Sequence, residues 1–436
     1  MTASFRSTIT YDDMHTLEIN ARPSHLSHTQ ELREAILLIF CTPVPEQCAL
    51  LEGLSDRQWK PLLHWLDTSG LALYFLDRLT TLGLREILPP AVLSRLAQNL
   101  VDSRARIDAM IAESNAIQRS FQNIGLSYAV LKGFSLWPTS VPKLELRSQL
   151  DIDFLMAEKS STEARKILEA RGYHLHAISG RSWEFKANQS AAYTLKDLYK
   201  PTPQRSVELH IDIPDERKGS LLERTDNICF HGVCMPVLSP VDLFLGQALH
   251  LYKHLRSEFS RASHILEFRN HVIARYQDCL FWEQLRAIGE GDSRATTGLG
   301  FVTLLISQTM GEFAPKDLTC WTVDRLPAQM RKWIELYGFR TVFRSFTGSK
   351  LHLLLETGAQ MPGSPSRRSL RRALLPLRLP PAIAQAEPNE TPRAWLRRHH
   401  RQAYFILFRL RFHVIEGLRY LYESIRWRRH LRQLQR

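Results

Sequence analysis

Two aspartates separated by one residue have the clearest capacity for chemistry in this sequence of 436 residues. Asp151 and Asp153 stand at the start of a strand-like run, and alternate residues of a strand project to the same face. We therefore expect the two carboxylates to share divalent metal ions. An enzyme that acts on a triphosphate needs carboxylates to hold the divalent metal ion and hydrogen-bond donors to hold the phosphates.

A turn that suits phosphate lies upstream of this pair. Lys132-Gly133-Phe134-Ser135 follows a short buried strand-like run, and backbone N–H groups at such a turn can cradle a triphosphate. Gly133 permits the close approach that this requires. We expect Lys132, Gly133 and Ser135 to bind the nucleotide, and Arg147 and Lys132 are the nearest cations for its phosphate oxygens.

A third carboxylate is expected from a neighbouring strand, where Glu208 lies between Val207 and Leu209. In an alternating strand those two apolar residues point into the core while Glu208 points the other way. Glu208 therefore completes the predicted metal site with Asp151 and Asp153. Either Glu208 or a metal-bound aspartate is expected to accept the proton of an attacking hydroxyl.

Three histidines accompany this pattern. His210 follows Glu208 by two residues and is read either as a cleft residue or as a strand residue without chemistry. His250 and His254 are one helical turn apart, which is metal-ligand spacing, but the sequence places no third ligand beside them. Lining the cleft and packing between helices both remain open for this pair.

The elements that must position these residues follow from apolar periodicity. Helical spacing dominates before residue 124 and again after Pro240, and strand-like runs lie between them. The predicted strands are Ser127–Leu131, Asp151–Met156, Trp183–Lys186, Ala192–Leu195, Val207–Ile213 and Ile228–Val237, the last turning at His231-Gly232, with a helix over Ser161–Ala170. Helices are predicted over Val241–Leu255, Ile265–Tyr276 and Phe281–Ala287.

These patterns predict an α+β fold with a mixed sheet flanked by N- and C-terminal helical regions. The predicted divisions are an irregular lead-in over 1–27, a helical region over 28–123, a core over 124–240, a helical region over 241–357, a linker over 358–393 and a basic amphipathic helical tail over 394–436. The linker is predicted from seven prolines between Gly358 and Pro392.

The motifs resemble a known superfamily. A hydrophobic-Gly turn followed by Asp-hydrophobic-Asp is similar to the signature of DNA polymerase β-like nucleotidyltransferases. More closely, Val130–Gly133, Arg147-x-x-x-Asp151-Ile152-Asp153 and Val207–His210 resemble a bacterial family of uncharacterised nucleotidyltransferases, over roughly residues 90–290. One departure is the segment Leu266–Arg269, which carries Glu and Arg where that family tends to carry an Asp.

The resemblance implies an enzyme that uses Mg²⁺ or Mn²⁺ to transfer a nucleotide from an NTP such as ATP to a hydroxyl. The acceptor stays open among a small molecule, a protein and an RNA, and toxin-like modification of protein or tRNA is included. The alternative is a non-catalytic nucleotide-binding or partner-binding module on the same scaffold, because a fold does not fix a function.

The charge distribution and the cysteine content indicate the kind of protein and its expected cellular location. The formal net charge is +13, and residues 366–436 alone hold 17 Arg against 4 acidic residues, so the whole excess lies in the tail. The six cysteines are too few and scattered for a disulfide scaffold, and Cys229-x-His231-x-x-Cys234 lacks a second pair for zinc. No signal pattern or membrane-length apolar run is evident, so a cytoplasmic protein is expected.

The tail combines an apolar stripe with many arginines. The stripe comprises Leu396, Tyr404, Leu407, Phe408, Val414, Ile415, Leu418, Leu421, Tyr422 and Ile425. Three interpretations remain open for it. The stripe packs on the helical body, or the tail contacts an anionic membrane surface or nucleic acid, or it binds a partner protein.

Overall fold

The fold is taken from a computed structural model, which describes residues 28–187, 198–201, 205–214, 219–344, 348–358, 367–375 and 390–434. The predicted lead-in over 1–27 and the predicted strand Ala192–Leu195 lie outside these ranges. Across the described ranges, no helix combines the length and apolar character needed to cross a membrane.

Four helices precede the sheet: α1 (His28–Leu38), α2 (Asp56–Ser69), α3 (Ala72–Leu82) and α4 (Pro90–Asn123). Helix α4 begins at a proline, whose missing N–H costs nothing in the first turn. It ends just before Gly125, which has a φ of 67° that glycine adopts readily. This helix delivers the chain to the first strand, which lies at the site.

Seven strands form one mixed sheet: β1 (Tyr128–Leu131), β2 (Ile152–Ala157), β3 (His174–Ser179), β4 (Ser182–Ala187), β5 (Arg205–Asp212), β6 (Thr225–Phe230) and β7 (Val233–Leu238). Their order is β3-β4-β5-β2-β1-β7-β6. Strand β2 pairs parallel with β5 and antiparallel with β1, which pairs parallel with β7. Helix α5 (Ser161–Ala170) follows β2. The α+β prediction is confirmed.

The two faces of the central strands differ in chemistry. Phe154 and Val207 point into an apolar core shared with α4 and α5, and both are fully buried. Their sequence neighbours Asp153 and Glu208 project from the other face, as period-two alternation requires. Strand β3 was not predicted, because as an edge strand it is mostly exposed and lacks an apolar alternation.

Helices return after the sheet and build a second core with the N-terminal helices. They are α6 (Pro240–Leu255), α7 (Ala262–Ala274), α8 (Cys279–Gly289), α9 (Ser293–Met310), α10 (Lys316–Thr319), α11 (Ala328–Trp333), α12 (Phe339–Val342) and α13 (His352–Gly358), with a π-helical turn over Ile334–Gly338. Ser239 caps α6, accepting a hydrogen bond from the backbone N–H of Asp242.

Two helices complete the described chain, α14 (Arg367–Leu374) and α15 (Pro392–Leu434). Helix α14 lies inside the segment predicted as a linker, so that segment is not wholly irregular. Helix α15 packs on the body through Tyr420 and Trp427. The predicted apolar stripe on α15 is not the packed face: its members are exposed. Packing of that stripe was therefore the wrong interpretation among the three.

Candidate active site

The turn after β1 has an unusual backbone. Lys132 has a φ of 49°, and Gly133 has a φ of 24°. A positive φ is costly for lysine, and such strain tends to occur at functional sites. Gly133 also lies against Gln149, because a Cβ at Gly133 would overlap the Gln149 amide. The short 3₁₀ helix Gly133–Leu136 follows.

Ser135 is buried in this turn, and its hydroxyl donates to the main-chain carbonyl of Lys132 at 2.7 Å. The predicted contact between Ser135 and phosphate stays a prediction, as do those of Lys132 and Gly133. What the turn achieves in this structure is to direct the Lys132 side chain toward the carboxylates of the sheet.

Asp153 and Glu208 occupy paired positions on neighbouring parallel strands, since β2 and β5 align Asp153 with Glu208. His210 lies two residues further along β5 on the same face. Its Nε2 is 2.9 Å from Asp153 Oδ1 and 3.2 Å from Glu208 Oε2. One atom from each of the three residues lies within 4.8 Å of the others, close enough for one metal ion.

Lys132 adds a cation to this cluster. Its Nζ lies 2.7 Å from Asp153 Oδ1 and 3.8 Å from Glu208 Oε2. It is also 3.4 Å from His210 Nε2. The Asp153 side chain is 2% exposed, whereas Lys132 is 33% exposed. A buried carboxylate is thus compensated by an ammonium that also reaches solvent.

The electrostatics favour the charged forms of these four groups. Burial would raise the pKa of Asp153, but its hydrogen bond with His210 and the charge of Lys132 hold that pKa below its ordinary value. A hydrogen bond with His210 also lowers the pKa of Glu208. Burial opposes charge on Lys132 and His210, yet the carboxylates beside them raise the pKa of both.

Asp151 behaves differently from Asp153. Burial, and then the negative charge of Asp153, raise the pKa of Asp151 to about 6. Its carboxylate is not in the group of three that could share one ion. The Gln149 amide donates to the Asp151 carbonyl at 2.8 Å and so fixes the backbone at the start of β2. Metal binding by Asp151 stays a prediction.

Arg147 forms a buried ion pair that the sequence did not reveal. Its Nε donates to Glu267 Oε1 on α7 at 3.1 Å, with side-chain exposures of 14% and 2%. The Tyr74 hydroxyl donates to the same oxygen at 3.2 Å. The predicted phosphate contact of Arg147 stays a prediction. The tendency of the resembled family to carry an acid in this helix was the available signal for Glu267.

The histidines His250 and His254 lie together on α6, with ring centroids 4.4 Å apart. His264 of α7, which no sequence motif marks, has its ring centroid 5.8 Å and 5.9 Å from theirs. Burial lowers the pKa of all three, to about 3 for His250, so they are neutral at pH 7. The charge of Lys132 also lowers the pKa of His250, and that of Asp153 raises it.

Neither these histidines nor the residues Cys229, His231 and Cys234 form a metal cluster in the described parts of the chain. Cys229 and Cys234 are exposed free cysteines that face each other across the β6–β7 hairpin. Among the described residues, the one group with the composition and spacing of a metal site is therefore Asp153, Glu208 and His210.

A search of curated proteins found no match. Among solved structures, the lincosamide antibiotic adenylyltransferase LnuA, bound to lincomycin, is 13% identical with a TM-score of 0.25, over 36% of this chain and 92% of that one. An antigenic nucleotidyltransferase-like protein from Paracoccidioides brasiliensis is 12% identical with a TM-score of 0.29, over 48% of this chain and 96% of that one.

A family model carries the assignment. The model described as uncharacterised nucleotidyltransferase matches residues 55–311, more than half of the chain. The match spans the turn at Lys132, the carboxylates of β2 and β5, and the histidines of α6. The chain belongs to this family of uncharacterised nucleotidyltransferases.

Proposed function

We propose that the protein transfers a nucleotide from an NTP to a hydroxyl acceptor, with a divalent metal ion held by Asp153 and Glu208. The observation that carries the proposal is the alignment of these two carboxylates across β2 and β5, with His210 within hydrogen-bond distance of both. A structural role alone does not require two carboxylates at adjacent positions on the same face of a sheet.

The donor atoms fit a hard divalent cation. Carboxylate oxygens are the ligands that Mg²⁺ and Mn²⁺ prefer, and an imidazole nitrogen suits Mn²⁺ better than Mg²⁺. The ammonium of Lys132 lies against Asp153 Oδ1, the oxygen that His210 also contacts. This contact supports the proposal that the site favours a positive charge. Bound there, a divalent cation would neutralise charge on the triphosphate and on the departing pyrophosphate.

Lys132 has a second task in this proposal. Its side chain is one third exposed, and rotation about its side-chain bonds would carry the ammonium from Asp153 to a phosphate oxygen. The backbone N–H groups at Gly133 and beyond would then hold the phosphates, as turns of this kind do. Binding of the triphosphate would thereby replace the Lys132–Asp153 ion pair.

The reaction balances with groups of this chain. The acceptor oxygen attacks the α-phosphorus. The bond between the α-phosphorus and the oxygen that bridges it to the β-phosphorus breaks, and pyrophosphate leaves with that electron pair. A carboxylate accepts the proton of the hydroxyl. Asp151 is one candidate for this role, since it stands two residues before Asp153 and burial, with the charge of Asp153, raises its pKa to about 6. Glu208 is the second candidate.

The acceptor class remains among a small molecule, a protein and an RNA. The competing function is a nucleotide-binding module without transfer, in which Arg147 stays paired with Glu267 and the carboxylates serve only for binding. The two functions differ in turnover. Both predict NTP binding with metal, but only the enzyme releases pyrophosphate when an acceptor is supplied.

The test measures NTP binding by calorimetry and nucleotide transfer by labelling. Each labelled NTP is incubated with the protein, Mg²⁺ or Mn²⁺ and a cell lysate, and pyrophosphate and labelled products are measured. Asp153→Asn and Glu208→Gln should abolish transfer. Asp226→Asn should not, because Asp226 is exposed on β6, three strands from β2. NTP binding without pyrophosphate release would favour the non-catalytic module, and absence of binding in the wild-type protein would refute both.

A further inference from the structure

The solvent side of α15 carries an extended apolar surface. Every stripe residue predicted on this helix is exposed, from 38% for Phe408 to 68% for Tyr404. Between Tyr404 and Ile425 these side chains stand at positions 404, 407, 408, 414, 415, 418, 421, 422 and 425, which at 3.6 residues per turn lie on one side of the helix. Monomeric soluble proteins rarely expose contiguous apolar patches of this extent unless the patch binds something.

The opposite side of the same helix already has a partner. Phe412, Tyr420 and Trp427 are buried, and Tyr337 of the body donates to Glu423 at 3.3 Å. Arg344 pairs with Glu416 at 2.7 Å. The contacts with the body are thus made by the side of α15 opposite to the stripe, and the stripe takes no part in them. Helix α15 is docked through one side and presents the other outward.

Charge on the outward side has a single sign. The only carboxylates within α15 are Glu416 and Glu423, and both are buried against the body. Within the described chain several exposed arginines of this helix form no ion pair: Arg393, Arg397, Arg401, Arg411, Arg428, Arg429 and Arg432.

The positions of these arginines relative to the stripe follow from the helical repeat. Arg411 follows Tyr404 by seven residues, two turns, and therefore lies within the stripe. Arg429 follows Arg411 by 18 residues, five turns, and lies on the same side. Arg393 and Arg397 lie on that side as well, before Tyr404. Arginines thus lie at both ends of the apolar stretch, and Arg411 lies within it.

We propose that this outward side of α15 binds an anionic phospholipid surface, with the helix lying in the plane of the interface. The apolar and aromatic side chains would enter the boundary between headgroups and acyl chains, and the flanking arginines would contact lipid phosphates. Charge complementarity favours this occupant over a second copy of the chain. Two copies joined along this side would bring Arg411 and the flanking arginines of each against like charges.

A nucleic acid would satisfy the arginines but not the aliphatic members of the stripe. Leu407, Val414 and Leu418 have no partner in a phosphate backbone, whereas acyl chains bury them. The proposal is independent of the transfer reaction, since no residue of α15 belongs to the candidate active site. Failure of either proposal therefore leaves the other intact.

The experiment is co-sedimentation of the full-length protein with phosphatidylcholine vesicles, with and without phosphatidylglycerol, at low and high salt. We expect binding at least about tenfold tighter when the anionic lipid is present, and weaker binding as salt rises. Leu418→Glu/Leu421→Glu should reduce binding about tenfold or more, because it places charges in the apolar stretch. Leu280→Glu is the matched control, since Leu280 on α8 is 64% exposed, as is Leu418.

The charge component has its own pair of variants. Arg428→Glu/Arg429→Glu should reduce binding to anionic vesicles, whereas Arg57→Glu/Arg85→Glu, at exposed sites on the N-terminal region, should not. Equal binding to neutral and anionic vesicles would overturn the proposal. So would a dimer in analytical ultracentrifugation that Leu418→Glu dissociates, or retention on tRNA that outcompetes the vesicles. All variants alter exposed side chains, so circular dichroism should show unchanged folding.

Discussion

The ammonium nitrogen of Lys132 lies 2.7 Å from Oδ1 of the buried Asp153. This contact makes Lys132 a competitor for any cation that the carboxylates bind before nucleotide arrives. Lys132→Met should therefore raise the affinity for Mn²⁺ in the absence of NTP by about tenfold, or about 1.4 kcal/mol. It should simultaneously lower nucleotide transfer, because the phosphates lose a cation.

Electron paramagnetic resonance of free Mn²⁺ measures this affinity directly. Lys143→Met is the control, because Lys143 pairs with Asp77 at an exposed position. An unchanged or weaker Mn²⁺ affinity in Lys132→Met would show that the carboxylates of Asp153 and Glu208 are not the cation site.

The buried pair of Arg147 and Glu267 predicts a stability effect. Glu267→Gln removes the charge that compensates Arg147 and should lower the free energy of unfolding by about 3 kcal/mol. The double variant Arg147→Met/Glu267→Met should be more stable than Glu267→Gln, because it leaves no buried charge without a partner. Urea unfolding measures both values. A double variant less stable than Glu267→Gln would contradict this account of the pair.

Gly133 predicts a steric effect at the turn. Gly133→Ala would place a methyl group against the Gln149 amide at a positive φ, so we expect NTP affinity to fall about tenfold. Gly246→Ala is the matched control, because nothing lies within 4 Å of a Cβ at that helical position, and it should be neutral or stabilising. Partial rescue of Gly133→Ala by Gln149→Ala would locate the clash, and no rescue would assign the loss to the backbone alone.

His271 predicts a dependence of stability on pH. Burial, with a smaller contribution from Arg275, lowers its pKa to about 3 in the folded protein, and its Nδ1 lies 2.9 Å from Gln247 Oε1. In the unfolded chain His271 is therefore protonated as the pH falls below about 6.5, whereas in the folded chain it is protonated only near pH 3. Stability from this residue is present above pH 6.5 and is lost as pH falls through that window.

The loss attributable to His271 should be about 2 kcal/mol between pH 7 and pH 5. His271→Asn keeps a donor near Gln247 but does not titrate. Chemical denaturation at both pH values should show the variant less stable than wild type at pH 7, with the difference smaller by about 2 kcal/mol at pH 5. A difference that is the same at both values would mean that His271 does not titrate as described.

Local sequence was sufficient to predict the strands and the turn that carry the site residues. The strand containing Asp153, the Lys132-Gly133 turn and the strand containing Glu208 were predicted because strand alternation and turn chemistry are short-range properties. Those rules assign each residue to a face. They do not assign neighbours, so the pairing of β2 with β5, and hence the distance between Asp153 and Glu208, had to come from the sheet order.

Tertiary structure decided the remaining contacts. Arg147 and Glu267 are far apart in sequence, and no local rule pairs them, yet burial of one charge required the other. Periodicity likewise showed that α15 has an apolar stripe, but not which side packs. The packed side carries Phe412, Tyr420 and Trp427, because these side chains fit the surface of the body and the buried polar residues beside them find partners there. The more regular apolar stripe stays exposed to solvent.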